Sequence, residues 1–178
     1  VPTVFHSIVA SDMQGFMTCT KGVEKKKLDL VIHTPGGDME TTKQIINYLR
    51  TVYHEIRVIV PQKAMSGGTM IACAADEILM GPYSSLGPTD PQVLLGQSFV
   101  PIGAIIKEFE TAKVEVQKNP ASAILWLDRI KAIPFGMYQS IVNMHGHAVE
   151  DLKLILIANM LKDENKKNEM AEKISKFL

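Results

Sequence analysis

The sequence predicts an α/β fold with a largely parallel sheet and a C-terminal helical arm. Two short apolar runs, Leu28–His33 and Ile56–Val60, are separated by about the length of a right-handed βαβ unit, which is about 30 residues long. Helical periodicity fills the gap between them, and apolar residues recur at helical spacing from about Pro101 onward. With 178 residues, we expect one domain over residues 1–178, with a core at about 1–100 and the arm at about 101–178.

The segment before Leu28 carries a weak pattern. Val4–Phe5 and Ile8–Val9 suggest a short strand, and Ser11 opens a segment that favours a helix through Cys19. The charged run Glu24–Lys27 is typical of a solvated loop.

The next elements follow from periodicity and from chain-breaking residues. Leu28–His33 is a strand, and Pro61 stops the second strand at Val60. A helix lies between them, with one apolar face formed by Ile45, Ile46, Leu49 and Val52. A small-residue helix over residues 67–75, in which Cys73 is a core residue, leads to a strand over residues 77–80.

Polar and glycine-rich loops follow these strands. Gly36 and Gly37 come directly after the first strand, Ser66 follows the second, and the rigid loop Gly81–Pro91, which contains Asp90, follows the third. Active sites of open α/β sheets gather at the carboxyl ends of the strands, so we expect the loops to meet. Two simpler interpretations stay open here: Ser66 as a helix cap, and the two glycines as a plain turn.

Ser66 is a candidate nucleophile. An alcohol needs a base to take its proton, and acyl transfer needs donors for the developing oxyanion. The backbone amides of Gly67 and Gly37 are the candidate donors, since glycine permits close approach of the backbone. Ala64–Gly68 matches only part of the G-x-S-x-G elbow, because the leading glycine is missing.

Three motifs, in this order along the chain, resemble those of a known protein family. Ile32–Asp38 (IHTPGGD), Ala64–Ala72 (AMSGGTMIA) and Leu86–Gln92 (LGPTDPQ) are similar to the serine dehydrogenase proteinase family, which is related to Clp proteases and signal peptide peptidase A. The resemblance covers residues 28–95. It implies a ClpP/crotonase-like fold of repeated ββα units, serine peptidase activity on polypeptides and homo-oligomerisation. It also implies Ser66 as nucleophile, with Gly37 and Gly67 shaping the oxyanion hole.

The general base is not settled by the resemblance. In Clp proteases a histidine stands near the position of Thr89, which cannot act as a base. Asp90 could orient a histidine, and the family's own candidate lies in a Trp-Thr-His-Asp segment that this chain does not contain. The alternative is a Ser–Lys dyad as in signal peptide peptidases, for which Lys107 has suitable spacing. His145 and His147 are not assigned a role, and for His33 a structural role is expected.

Composition excludes some classes of function. Lys plus Arg equals Asp plus Glu at 19 each, which gives no electrostatic reason to expect a nucleic acid partner. No metal site or cofactor is expected, since the histidines have no ligand cluster around them. No run is long enough for a membrane span and no signal peptide opens the chain. We expect a cytoplasmic protein whose full-length form associates with membranes through segments outside this chain.

Two further functions compete with the peptidase. A crotonase-type acyl-CoA enzyme would use the same paired amides to stabilise a thioester enolate, without a nucleophile. A non-catalytic oligomeric scaffold would use the apolar helical arm for subunit contacts.

Overall fold

The computed structural model describes residues 7–24, 26–162 and 165–177. The strand predicted at Val4–Phe5 lies outside these residues. The chain divides into two compact units. The first unit takes in the chain up to Thr89 together with the segment from Glu150 onward, and the second is Asp90–Val149. The prediction of one domain with a core and an arm stays a prediction.

The first unit contains the predicted strands and helices. Its elements are α1 (Ala10–Thr20), β1 (Lys27–Val31), α2 (Met39–Val52), β2 (Glu55–Val60), β3 (Lys63–Ala64), α3 (Gly67–Cys73), β4 (Glu77–Met80) and β5 (Ser85–Leu86). The strand expected at Ile8–Val9 is reduced to an isolated parallel bridge between Ile8 and Gly37. Val9 instead stands at the N-cap of α1.

The first unit contains two parallel sheets, and each repeat contributes one long strand to the first sheet and one short extended segment to the second. The first sheet has the order β1-β2-β4, and the second joins β3 to β5. Thr34 extends the second sheet through a parallel bridge to Ala64. Each long strand is thus followed by a short extended segment, and in the first two repeats a helix comes next. This pattern confirms the predicted fold class of repeated ββα units with a largely parallel sheet.

Local sequence determines where helix α2 begins and which of its faces is buried. Asp38 caps it, since its carboxylate accepts a hydrogen bond from the Thr41 amide at 2.7 Å. The Thr41 hydroxyl and amide both lower the pKa of Asp38 because they stabilise its charged form. The apolar face of α2, with Ile45 and Leu49 almost fully buried, packs into the main core.

The C-terminal segment completes the same core. The buried residues of the main core include four from the segment that begins at Glu150, namely Leu152, Leu156, Leu161 and Ala171. Asp76, after α3, holds this segment through an ion pair with Lys162 at 2.7 Å. Along the sequence, the chain therefore leaves the first unit at Asp90, passes through the second unit, and returns to the first unit at Glu150.

The second unit begins with an antiparallel hairpin and continues in helices. Its elements are β6 (Gln92–Leu95), β7 (Ser98–Pro101), α4 (Ile102–Lys118), a 3-10 turn (Pro120–Ser122), α5 (Ala123–Lys131) and the first part of α6 (Met137–Ala158). Helix α7 (Lys167–Phe177) belongs to the first unit. None of the helices in the described ranges is long and apolar enough to cross a membrane.

Candidate active site

Three motif loops leave the second sheet at the same edge. Thr34, Ala64 and Leu86 are paired side by side in parallel register. The loops that follow them carry the Gly36–Gly37 pair, Ser66 and Gly87. Because parallel strands end at a common edge, the sheet brings the three motifs together, as the sequence predicts.

Ser66 has a strained backbone. Its φ is 48° and its ψ is −115°, and among the described residues it is the only non-glycine residue with a positive φ. Such a conformation costs about 1–3 kcal/mol and persists only where the surroundings enforce it. The turn is held by hydrogen bonds from the Gly68 amide to the Met65 carbonyl at 2.8 Å and from the Met70 amide to the Ser66 carbonyl at 3.1 Å.

This strained turn has the character of a nucleophile elbow, in which a tight strand-to-helix turn exposes a serine hydroxyl. Ser66 stands at the N-cap position of α3, but its side chain makes no capping hydrogen bond. The simpler interpretation of Ser66 as a helix cap is therefore wrong. The hydroxyl is left available for chemistry.

The backbone at Gly36 lies close to the Ser66 side chain. A β-carbon at Gly36 would lie 2.7 Å from Ser66 Cβ and 3.3 Å from Ser66 Oγ, and the φ of Gly36 is +98°. Both the space and the backbone angle require glycine at this position. The sequence predicts Gly36 only as part of a turn, and the structure shows that it faces Ser66.

Gly37 and Gly67 are the predicted oxyanion donors. Gly37 is bridged to Ile8, and the two hydrogen bonds of that bridge use the Gly36 carbonyl and the Asp38 amide. Successive amides of an extended segment point in opposite directions, so the Gly37 amide is directed away from Ile8. Gly67 begins α3, where the amide has no partner within the helix. Their role as oxyanion donors stays a prediction.

Two buried threonines hold these loops, and neither was predicted from the sequence. Thr34 Oγ1 accepts a hydrogen bond from the Gly36 amide at 3.1 Å. Thr69 Oγ1 lies 2.8 Å from the carbonyl oxygens of both Ala64 and Gly87, which share its single proton, and it accepts a hydrogen bond from the Gly87 amide at 3.2 Å. A threonine just before a Pro-Gly-Gly turn is a recognisable signal for such a loop-closing hydrogen bond, whereas Thr69 gives no comparable signal.

Asp90 and His145 lie together in the second unit. Asp90 accepts a hydrogen bond from the Gly103 amide at 3.0 Å, close to the beginning of α4. His145 Nδ1, on α6, is 3.6 Å from Asp90 Oδ1, an ion-pair distance that is longer than a hydrogen bond. The prediction that Asp90 orients a histidine remains untested as catalysis, but His145 is the histidine that the structure places beside it.

Lys107 lies on α4 and is exposed. Its ammonium forms no ion pair with any of the residues described, whereas Lys43, Lys153 and Lys162 all do. A lysine can act as a base only as the neutral amine, and a carboxylate neighbour favours the charged form. Its role as base stays a prediction.

The buried thiol of Cys73 is not a competing nucleophile. Burial raises the pKa of the Cys73 thiol to about 12, so it is protonated near neutral pH. No group of three or more His, Cys, Asp or Glu residues in the described ranges could hold a metal ion. His33 is exposed at the end of β1, and His147 is exposed on α6.

The sequence model of the ClpP-like SDH-type serine proteinase family matches residues 3–178. The chain therefore belongs to this family, as the three motifs predict. The fold class, the repeated ββα units and membership of a family of serine peptidases are thereby confirmed.

Two curated relatives share part of this chain's sequence. Uncharacterized protein MJ0137 of Methanocaldococcus jannaschii is 44% identical over 108 residues, which are 60% of this chain and 36% of the relative. Uncharacterized protein MJ1495 of the same organism is 47% identical over 70 residues, which are 39% of this chain and 24% of the relative. The matched regions thus span only about a third and a quarter of these relatives.

Two of the solved structures that resemble this chain are mutants of the 1510-N membrane-bound stomatin-specific protease. A serine-to-alanine mutant has a TM-score of 0.58 and 14% identity, and the match covers 97% of this chain and 67% of that one. A lysine-to-alanine mutant, in complex with a substrate peptide, has a TM-score of 0.56 and 16% identity over 95% of this chain and 60% of that one. At this level of identity the likeness shows a shared fold.

Proposed function

We propose that the protein is a serine peptidase in which Ser66 attacks the peptide carbonyl. The observation that carries the proposal is the strained Ser66 turn pressed against Gly36, with the hydroxyl left uncommitted by any capping bond. Strained residues of this kind cluster at active sites, where the strain holds a group ready for reaction. The family assignment supports a peptidase over an acyl-CoA enzyme, which would need no serine at this position.

Lys107 is our candidate for the general base. Its separation from Ser66 along the chain equals the separation between the serine and the lysine that were mutated in the two solved protease structures. The absence of an ion pair at Lys107 among the described residues also supports this role. A histidine base outside this chain is the alternative.

The proposed reaction follows the general course of acyl transfer. The Lys107 amine takes the proton of the Ser66 hydroxyl while Oγ bonds to the carbonyl carbon, and the Gly37 and Gly67 amides stabilise the oxyanion. The ammonium then gives its proton to the leaving amine as the C–N bond breaks. Water, deprotonated by the same amine, hydrolyses the acyl-enzyme and regenerates Ser66.

A fluorophosphonate probe tests this proposal, because it phosphonylates only an activated serine. Wild-type protein should be labelled at Ser66, and Ser66→Ala should lose labelling completely. Lys107→Met should slow labelling by about 10²–10⁴-fold, the usual contribution of general base catalysis. Ser84→Ala is the matched control, since Ser84 lies outside the three motifs and its hydroxyl faces the Val60 and Pro61 carbonyls. Equal labelling of the wild type and Ser66→Ala would overturn the proposal.

The family implies polypeptides as the substrate class. We also propose that the whole protein forms homo-oligomers and that it associates with membranes. On α5, Ile124 and Leu125 are each 75% exposed, and apolar exposure of this extent is typical of association surfaces. The structural neighbours are described as membrane-bound. Light scattering of the whole protein measures its oligomeric state, and a monomer would contradict homo-oligomerisation. Vesicle flotation measures membrane binding, and a protein that does not float with vesicles would contradict membrane association.

A further inference from the structure

The Asp90 carboxylate has a nitrogen neighbour on each of two sides. The Gly103 amide donates to it at 3.0 Å and 3.3 Å, and His145 Nδ1 faces it at 3.6 Å. That nitrogen is buried and has no hydrogen-bond partner within the described part of the chain. His145 therefore has its buried nitrogen directed at a single carboxylate.

The same carboxylate lies on the helix face that carries Lys107. A β-carbon at Gly103 would be 2.8 Å from Asp90 Oδ2, so Asp90 covers this face at the first turn of α4. Lys107 is four residues later, and residues at this spacing share a face. Side chains in a helix lean toward its N-terminus, which directs Lys107 toward the turn that Asp90 covers.

If the Asp90 carboxylate left the Gly103 amide and turned along this face of α4, it would approach Lys107, one turn further on. No such pair exists among the described residues. An opposite charge within about 4–6 Å favours the protonated amine by roughly 1–3 pKa units. An Asp90–Lys107 pair would thus remove the free amine that a base requires at neutral pH.

We propose that His145 is a positioning residue that holds the Asp90 carboxylate away from Lys107 and so keeps this amine available as a base. The proposal rests on the proposed function, because it acts through Lys107. Among the other ionisable groups of the second unit, Glu110 lies three residues after Lys107, at a spacing that shares a helix face, Glu108 is paired with Arg129, and His147 is two residues after His145. None of the three forms an ion pair with Lys107, His145 or Asp90 in the described ranges.

The test is the rate of fluorophosphonate labelling of the whole protein between pH 5.5 and 10. His145→Asn should raise the midpoint of the pH profile by about one unit, which lowers the rate at pH 7 about tenfold. Labelling should recover to the wild-type rate at high pH, which a merely structural defect would not allow. His147→Asn, two residues further along α6, is the matched control and should keep the wild-type midpoint.

A double variant separates positioning from other effects. Asp90→Asn removes the competing carboxylate, so Asp90→Asn/His145→Asn should have the midpoint of Asp90→Asn alone. A wild-type midpoint in His145→Asn, a rise that persists in the double variant, or a rate that stays low at high pH would each overturn the proposal. If Lys107→Met labels at the wild-type rate, the Lys107 assignment fails as well. If Lys107→Met is inactive and His145→Asn is unchanged, only the positioning role fails.

Discussion

Gly36 and Ser66 share a space that has no room for a side chain between them. A β-carbon at Gly36 would come within 2.7 Å of Ser66 Cβ and 2.8 Å of the Met65 carbonyl oxygen. The backbone of the Gly36 loop therefore sets how far the Ser66 hydroxyl can move.

Gly36→Ala should reduce fluorophosphonate labelling of Ser66 by at least tenfold. The added methyl must displace either the loop or the serine, and alanine is also strained at a φ of +98°. Gly22→Ala is the control, since Gly22 has a φ of +77° but open space around it. Gly22→Ala introduces a comparable backbone strain, but its methyl group would not approach any other residue. Similar labelling rates for the two variants would show that the contact with Ser66 is unimportant.

Thr69→Val should lower the free energy of unfolding by about 2–3 kcal/mol, measured by urea denaturation. Thr69 is fully buried, and valine keeps its shape but leaves the Ala64 and Gly87 carbonyls without their hydroxyl donor. Thr51→Val removes a hydroxyl bond on the exposed surface of α2 and should change stability by less than about 0.5 kcal/mol. Equal losses in both variants would contradict the role of Thr69 in joining the loops.

Asp76 should make the first unit sensitive to acid. Burial opposes its ionisation, but hydrogen bonds from Lys162, the Ile56 amide and Arg50 outweigh burial and lower the pKa of Asp76 to about 2. Because the folded pKa is below that of the unfolded chain, about 3.9, the ionised carboxylate stabilises the protein above pH 4. That stabilisation is lost as the pH falls from about 4 to 2.

Asp76→Asn should lower the free energy of unfolding at pH 7 by about 1–2 kcal/mol, an amount reduced for partial solvation. The variant should also show a shallower loss of stability between pH 4 and 2. Urea denaturation at several pH values measures both effects. Asp29→Asn is the control: Asp29 is paired with Arg57 but its side chain is 57% exposed, so stability should hardly change. An unchanged acid dependence in Asp76→Asn would exclude this carboxylate as its source.

The repeated β–α pattern was predictable because its signals are local. The apolar runs that become β1, β2 and β4 are bounded by glycine, proline or charged residues, and the stripe of α2 has a clear helical period. The hairpin β6–β7 was not predicted, although Gly96, with a φ of +62°, sits in a short turn between apolar segments, which is a usable hairpin signal. Strands β3 and β5 have two residues each, too few for any periodicity.

The candidate site was predictable only where a motif marks it. The glycines and Ser66 stand in contiguous motifs, so their proximity follows from strand order. Thr69 stands in the motif Ala64–Ala72, but nothing local shows that its hydroxyl reaches Gly87, and His145 is far from Asp90 along the chain. Long-range pairs of this kind depend on how helices pack, and a single sequence does not encode that in any local pattern.

The return of the chain to the first unit has a consequence for biosynthesis. A nascent chain that has not yet reached Glu150 lacks Leu152 and Leu156, which belong to the core that supports the motif loops. A strained turn relaxes where its surroundings are incomplete, so we expect the Ser66 turn to take up its strained conformation only after the segment from Glu150 onward has been synthesised and has joined the core.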